Sequence, residues 1–323
     1  MPTLPELSRR QKAAIAKVDA ANLERVSSAY KLMYERLSGD VEALRLAIEA
    51  LENPTQAAIK QLAQYKDLQY RAGKELKRFT AYLETVIDRA SFEAIQAGLK
   101  DSAALITAAG VVAQVKGIAP NAMREALKYL DPNGKLYERL QALTGNTVDR
   151  VSQAILEGIG SGQNPRKIAS LIQDAFGGGL TDALRWTRTT QLYSYRDSAR
   201  ANYQASGVVD KWEWVAQLDE ATCLSCIEEN GSLHDLDERM DSHFNCRCVA
   251  VPYIEGITEQ GQSGEDWFNS QTEAQQEAIM GSGYYSAYKE GLFTFGDLTK
   301  QTENEVFGKM NAVTPLKELL GVD

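Results

Sequence analysis

The chain has 323 residues, of which 44% are hydrophobic, and a formal net charge of −9 at pH 7. This length allows a sizeable core and two or three domains. No apolar run follows the charged residues near the N-terminus, and the longest apolar stretch, residues 103–115, is too short to span a bilayer. The composition therefore excludes a secretory signal and a membrane span, and we expect a soluble intracellular protein.

The N-terminal third is predicted to be helical. Residues 5–52 place apolar side chains at helical spacing, with a Ser-Gly-Asp break at residues 38–40. An Asn-Pro turn at residues 53–54 precedes a second helical pattern that continues to about residue 99. Long helices rich in Lys and Glu predict an extended hairpin or bundle.

Proline and glycine residues divide the next hundred residues into shorter helices. Residues 103–116 are small and apolar, which indicates a buried helix, and Pro120 opens another. Further helices are predicted over residues 136–158 and 164–176. We expect the three glycines at residues 177–179 to end the last of these helices, since no phosphate-binding motif accompanies them.

The helix predicted over residues 181–205 carries a basic stripe. At 100° per residue, four arginines fall within an arc of about 120°. They are Arg185, Arg188, Arg196 and Arg200. The stripe fits weak DNA contact or contact with an acidic protein surface. The favoured interpretation is an arginine face paired with the acidic C-terminal half of the same chain, because such internally paired charges are the commoner case.

After Gly207 the pattern changes to strands and then to an acidic tail. Residues 208–215 alternate so that Trp212 and Trp214 share one face, and residues 249–253 predict a second short strand. A polar linker leads to a helical tail that glycines divide into short pieces. Residues 1–206 carry 28 Lys and Arg against 22 Asp and Glu, whereas the remainder carries 7 against 22. Such an asymmetry suggests different partners for the two halves.

Every cysteine of the chain and both histidines lie within 26 residues. The spacing is a C-x-x-C pair, sixteen intervening residues and an H-x-x-C-x-C segment. We call the five potential ligands the Cys/His cluster: Cys223, Cys226, His243, Cys246 and Cys248. Two tight turns that each aim two side chains at one point suit tetrahedral zinc, and a closed set of four ligands favours a structural ion.

Several alternatives remain open for this cluster. Either Cys246 or Cys248 completes the four ligands, and disulfide or redox chemistry competes with metal binding. His234 in the connecting loop is interpreted as a bystander. The loop is acidic, which disfavours a DNA-reading zinc finger. A metal nuclease would need a second histidine or a carboxylate at the metal and also an open coordination position, so enzymatic activity is not expected.

The order of these residues resembles the phage head-morphogenesis family, the Mu protein F-like minor head proteins. The resemblance runs over residues 135–320 and is most specific in the Cys/His cluster. Its other matching positions include the helix at residues 184–203, Gly207, Trp212, Asp219, Thr222, Asn230, Gly231 and Arg247. The resemblance implies a virion protein associated with the portal vertex that acts in procapsid assembly or DNA delivery.

The resulting prediction is a mainly α protein with a small α+β module. It combines long N-terminal helices, a helical middle, a short β-hairpin with a zinc-type Cys/His site and an acidic helical tail. The predicted domains cover residues 1–100, 101–206, 207–253 and 254–323. The resemblance implies portal and other capsid proteins as partners, with the protein in the virion and, during assembly, in the host cytoplasm. The alternative functions are a zinc-containing nucleic-acid-binding regulator and a metal-dependent nuclease.

Overall fold

A computed structural model of the chain describes residues 4–111, 117–219 and 222–322. The protein is 67% helical with a small antiparallel sheet region, which confirms the predicted fold class. Within the described residues, no helix combines the length and the apolar character needed to cross a membrane. Part of the apolar helix predicted over residues 103–116 lies outside the described residues.

Helices account for most elements. In chain order they are α1 (Leu4–Glu49), α2 (Gln56–Gln61), α3 (Ala63–Ala108), α4 (Pro120–Ala126), α5 (Lys135–Gly160), α6 (Pro165–Ser206), α7 (Leu224–Glu228), α8 (Gly264–Asn269), α9 (Glu273–Met280), α10 (Ser282–Lys289) and α11 (Leu316–Leu319). The strands are β1 (Lys211–Val215), β2 (Leu233–Asp235), β3 (Val249–Tyr253), β4 (Thr299–Asn304) and β5 (Gly308–Val313). Short 3-10 turns lie at Lys128–Leu130 and Phe295–Leu298.

The chain divides into two compact units. The first consists of residues 1–17, 91–129 and 191–323, and the second of residues 18–90 and 130–190. The four domains predicted from the sequence remain a prediction.

The second unit is helical, and two predicted helix breaks within it are wrong. The helix α1 continues through residues 38–40, because the burial of Leu37 and Leu44 outweighs a cost of about 1 kcal/mol for one glycine in a helix. The helix α6 likewise continues through residues 177–179. A Cβ atom at Gly179 would lie 2.6 Å from the hydroxyl oxygens of Thr147 and Tyr30. The glycine therefore allows α6 to lie close to α1 and α5.

The first unit contains both sheets. One has the order β2-β1-β3, and both of its pairings are antiparallel. Trp212 and Trp214 of β1 are 0% and 2% exposed, as expected for alternate residues on the buried face. They pack in a core with Tyr203 of α6 and with Cys226. The predicted strands at residues 208–215 and 249–253 correspond to β1 and β3, whereas β2 was not predicted.

The acidic tail packs around a second core in the first unit. Phe268, Phe295 and Leu298 are buried there together with residues of α7. Beyond the short helices the tail contains a hairpin that was not predicted, in which β4 pairs with β5. Asn304 closes the hairpin turn, since its side-chain oxygen accepts from the backbone N–H groups of Val306 and Phe307.

Candidate metal centre

Two turns of the first unit carry the Cys/His cluster. In the first turn, Cys223 immediately precedes α7 and Cys226 lies within that helix. In the second turn, the backbone N–H of Cys246 donates to the carbonyl of His243 at 3.3 Å. Asn245 lies between them with a φ of 61°, a left-handed conformation that asparagine tolerates better than most residues. Each turn therefore presents its side chains to the same point.

The potential ligand atoms lie within contact distance of one another. The Nε2 atom of His243 is 3.0 Å from the sulfur of Cys223 and 3.1 Å from that of Cys226. The sulfurs of Cys226 and Cys246 are 3.6 Å apart, and all four cysteines are free thiols. Two groups of three ligand atoms, each within 4.8 Å of one another, share Cys226; the second group adds Cys246 and Cys248. The cluster could hold a metal ion.

In the metal-free protein Cys223 and His243 form a thiolate–imidazolium pair, so metal binding would release a proton from the His243 ring. Hydrogen bonds from Cys226 and His243 lower the pKa of Cys223 to about 4, so this side chain is a thiolate at neutral pH. Burial alone would lower the pKa of His243, but its contacts with Cys223 and Cys246 outweigh burial and raise the pKa to about 10. Thiolates are the metal-binding form of cysteine. The Nδ1 atom of His243 lies 2.6 Å from the carbonyl of Phe244, which leaves Nε2 to face the sulfurs.

The space inside the cluster is small. A cavity of about 30 Å³ lies among residues of the two turns, including Cys223, Cys226, His243 and Cys246. This volume is enough for one ion or one water molecule and too small for an organic substrate. Cys226, Cys246 and Cys248 are at most 2% exposed, and only Cys223 and His243 are partly exposed.

An ion pair joins the two turns. The guanidinium of Arg247, between the last two cysteines, donates to both carboxylate oxygens of Asp219, one of them at 2.8 Å. The same carboxylate accepts from the hydroxyl of Thr222, and that hydroxyl accepts from the backbone N–H of Asp219. These three residues belong to the pattern that carried the family resemblance, and they fix the approach of the chain to Cys223.

Asn230 and Gly231 connect α7 to β1 and to the linker before α8. The side chain of Asn230 accepts from the backbone N–H of Ala216 and donates to the carbonyl of Gln262, both at 2.8 Å. Gly231 has a φ of 81°, and a Cβ atom there would lie 2.8 Å from the carbonyl oxygen of Gln262. This position therefore requires glycine.

His234 lies outside both groups of ligand atoms. Its ring stacks on Trp212 at 4.2 Å, and it contacts Ser232 and the carboxylate of Glu238. Burial lowers the pKa of His234, but the hydrogen bonds and charges of Glu229 and Glu238 outweigh burial and raise it above its ordinary value.

The four arginines of the predicted stripe are engaged within the chain. Arg185 pairs with Asp182 at 3.0 Å and Arg188 with Asp19 at 2.7 Å. Arg200 donates to the carbonyl of a residue between the two turns. Arg196 is 2% exposed and donates only within the protein, so it cannot contact DNA phosphates. Arg196 and Arg200 do bind the C-terminal half, as one interpretation expected, but through carbonyl and hydroxyl oxygens.

An aromatic contact beside the second turn was not predicted. Phe307, at the tip of the β4–β5 hairpin, stacks on Tyr193 of α6 at 4.6 Å and also contacts Tyr129 and Phe244. Arg239 lies 5.0 Å over the Tyr193 ring and donates to the carbonyl of Phe307. The hairpin tip is thus fixed close to the second turn. No local sequence pattern links residues so distant along the chain.

The fold and site define a helical protein whose Cys/His turns match a known family of phage proteins. Residues 149–251 match the family described as Phage Mu protein F like protein, which confirms the predicted resemblance. The match spans about a third of the chain and includes both turns. No curated protein and no solved structure matches. This third of the chain is therefore similar to a family of phage head-morphogenesis proteins.

Proposed function

We propose that this chain is a non-enzymatic minor capsid protein that associates with the portal vertex. It acts in procapsid assembly or in DNA delivery, and a structural zinc ion braces its two cysteine turns. The observation that carries the proposal is the closed Cys/His cluster inside the segment that matches the family.

The ligand chemistry supports zinc in particular. Zinc–sulfur and zinc–nitrogen bonds of about 2.3 Å and 2.1 Å place tetrahedral ligands roughly 3.5–3.8 Å apart. The three contacts among Cys223, Cys226, His243 and Cys246 measure 3.0 to 3.6 Å, so a small adjustment would accommodate the ion. Thiolate and imidazole ligands favour zinc over magnesium or calcium, which prefer oxygen.

Cys246 is the fourth ligand in this proposal, and Cys248 is the alternative. The sulfur of Cys246 contacts that of Cys226, and its charge acts on His243. The test is cobalt substitution, because cobalt–thiolate absorption scales with the number of bound sulfurs. Cys246→Ser should lose about a third of this absorption and Cys248→Ser none, since three thiolates are expected in the site. The opposite result would assign the ligand to Cys248.

The structural role of zinc has a direct test in Cys223→Ser. Metal binding supplies much of the folding free energy of small modules, so this variant should lose amide-exchange protection throughout residues 207–253. Peptides from α3 within residues 63–90 should keep their protection and serve as the internal control. Unchanged protection of the module would contradict the structural role.

The portal association is tested by co-expression of the tagged chain with the portal protein and, separately, with the major capsid protein of the same phage. We expect co-purification with the portal protein. Failure of the folded, zinc-loaded chain to retain the portal protein would overturn this part of the proposal and leave the zinc site untouched.

DNA contact and nuclease activity are less well supported. Of the four arginines, Arg185 and Arg188 have side chains that are 41% and 30% exposed, and both are paired with carboxylates. DNA affinity that falls steeply with salt and is lost in Arg188→Ala would favour a nucleic-acid-binding regulator. Metal-dependent plasmid cleavage that His243→Ala abolishes without unfolding would favour the nuclease.

A further inference from the structure

Arg196 is buried directly against the second cysteine turn. Its side chain extends from α6 and is 2% exposed. Its Nε atom donates to the carbonyl of Cys248 at 2.8 Å, and Nη2 donates to the carbonyl of Cys246 at 2.6 Å. Nη1 donates to the hydroxyl of Ser242 at 2.6 Å. One guanidinium therefore holds three points along residues 242–248.

These three partners are neutral oxygen atoms. A buried cation is costly unless an opposite charge lies nearby. The adjacent carboxylate of Asp197 accepts from the hydroxyl of Tyr129 and also faces Arg200 and Arg239. Arg239 pairs in addition with Asp241 at 3.2 Å, so three arginines share two acids. The charges of this buried region therefore leave an excess of positive charge beside the cysteines.

A metal-bound cluster would supply the missing negative charge. Three thiolates, one neutral imidazole and a divalent cation together carry a charge of −1. The carbonyl groups that Arg196 binds belong to Cys246 and Cys248 themselves. The positive charge of the guanidinium therefore lies beside the two residues that carry these sulfurs. The guanidinium and the loaded site would neutralise each other.

The shape of the guanidinium matters as much as its charge. Its planar fork donates in several fixed directions, whereas a lysine ammonium is a compact charge on a flexible stem. Only an arginine can hold the carbonyls of Cys246 and Cys248 and the hydroxyl of Ser242 at once. This arrangement fixes the backbone that aims the thiol of Cys246 toward the site.

We propose that Arg196 is the positioning residue of the metal centre, which orients the second turn and neutralises the charge of the metal–thiolate cluster. This inference rests on the proposed zinc site. It gives one arginine of the predicted stripe a function within the protein, in place of a contact with DNA or with an acidic partner.

The test compares Arg196→Met and Arg196→Lys with Arg200→Met as a matched control. Arg200 lies one turn later on the same helix and donates to the carbonyl of Leu236, outside both cysteine turns. Zinc affinity is measured in the full chain by competition with a chromophoric chelator. Far-UV circular dichroism of the metal-free proteins reports separately on folding.

We expect Arg196→Met to bind zinc about 10- to 100-fold more weakly, the usual loss when a group that orients a ligand is removed. Arg196→Lys should recover part of this loss, because it restores charge without the fork. Arg200→Met should stay close to the wild type. If Arg196→Met does not fold, the test rests on Arg196→Lys, whose zinc affinity must be measurably lower than that of the wild type.

Wild-type affinity in both Arg196 variants would overturn this inference, and so would an equal loss in Arg200→Met. A failure of the proposed zinc site itself would give a different result. In that case the wild-type chain itself would bind no zinc, whatever residue occupies position 196.

Discussion

Removal of the Phe307 ring should release the C-terminal hairpin from the second cysteine turn. The ring is 2% exposed and stacks on Tyr193, with further ring contacts to Tyr129 and Phe244. Core Phe→Ala substitutions cost about 3–5 kcal/mol. Because a hairpin tip can shift to fill part of the cavity, we expect the lower end, about 3 kcal/mol. The bond from Arg239 to the backbone carbonyl of Phe307 survives the substitution, so the loss reports on the ring alone.

Amide hydrogen exchange of peptides covering residues 299–313 measures this effect. A loss of about 3 kcal/mol corresponds to exchange roughly 100-fold faster in Phe307→Ala. Leu292→Ala is the control, since that side chain is 54% exposed and its removal should change stability by less than about 0.5 kcal/mol. Exchange of the hairpin within threefold of the wild type would refute the reasoning that the ring anchors the hairpin.

Two further predictions concern α3 and His234. Gly98→Ala should destabilise the protein by about 1–3 kcal/mol in thermal melts, because the new Cβ would lie 2.3 Å from the carbonyl oxygen of Tyr195. Gly73→Ala on the same helix is the control. No atom lies within 4 Å of a Cβ at that position, so this variant should be neutral or stabilising. His234→Phe keeps the stack on Trp212 but loses the charge. The raised pKa of His234 means that its ion pairs stabilise the fold below its unfolded value of 6.5, and that this contribution disappears as the pH rises through the folded pKa. Urea unfolding should therefore show a loss larger by about 0.5–1 kcal/mol at about pH 5.5 than at about pH 8.5, and equal losses would contradict this assignment.

Local sequence patterns predicted the features that local geometry determines. The C-x-x-C and H-x-x-C spacings brought Cys223, Cys226, His243 and Cys246 together because each pair lies on one tight turn. The alternation around β1 correctly predicted a strand with two buried tryptophans, and the spacing of apolar residues predicted the long helices.

The features that the sequence did not reveal depend on distant partners. The glycines at residues 177–179 read as a helix end, but packing against Tyr30 and Thr147 makes glycine the residue that fits within a continuous α6. The helical pattern placed Arg196 on one face of the helix with the other arginines, but it did not show that Arg196 is buried. The contact between Phe307 and Tyr193 spans more than a hundred residues, which no periodicity reports.

The zinc content of the purified chain tests the central claim most directly. Native mass spectrometry of the wild-type protein, prepared without chelators, should show one zinc ion per chain. His243→Ala should show much less, since it removes one of the four proposed ligands. Zinc well below one equivalent in the folded wild-type protein would contradict the account, and so would full occupancy in the variant.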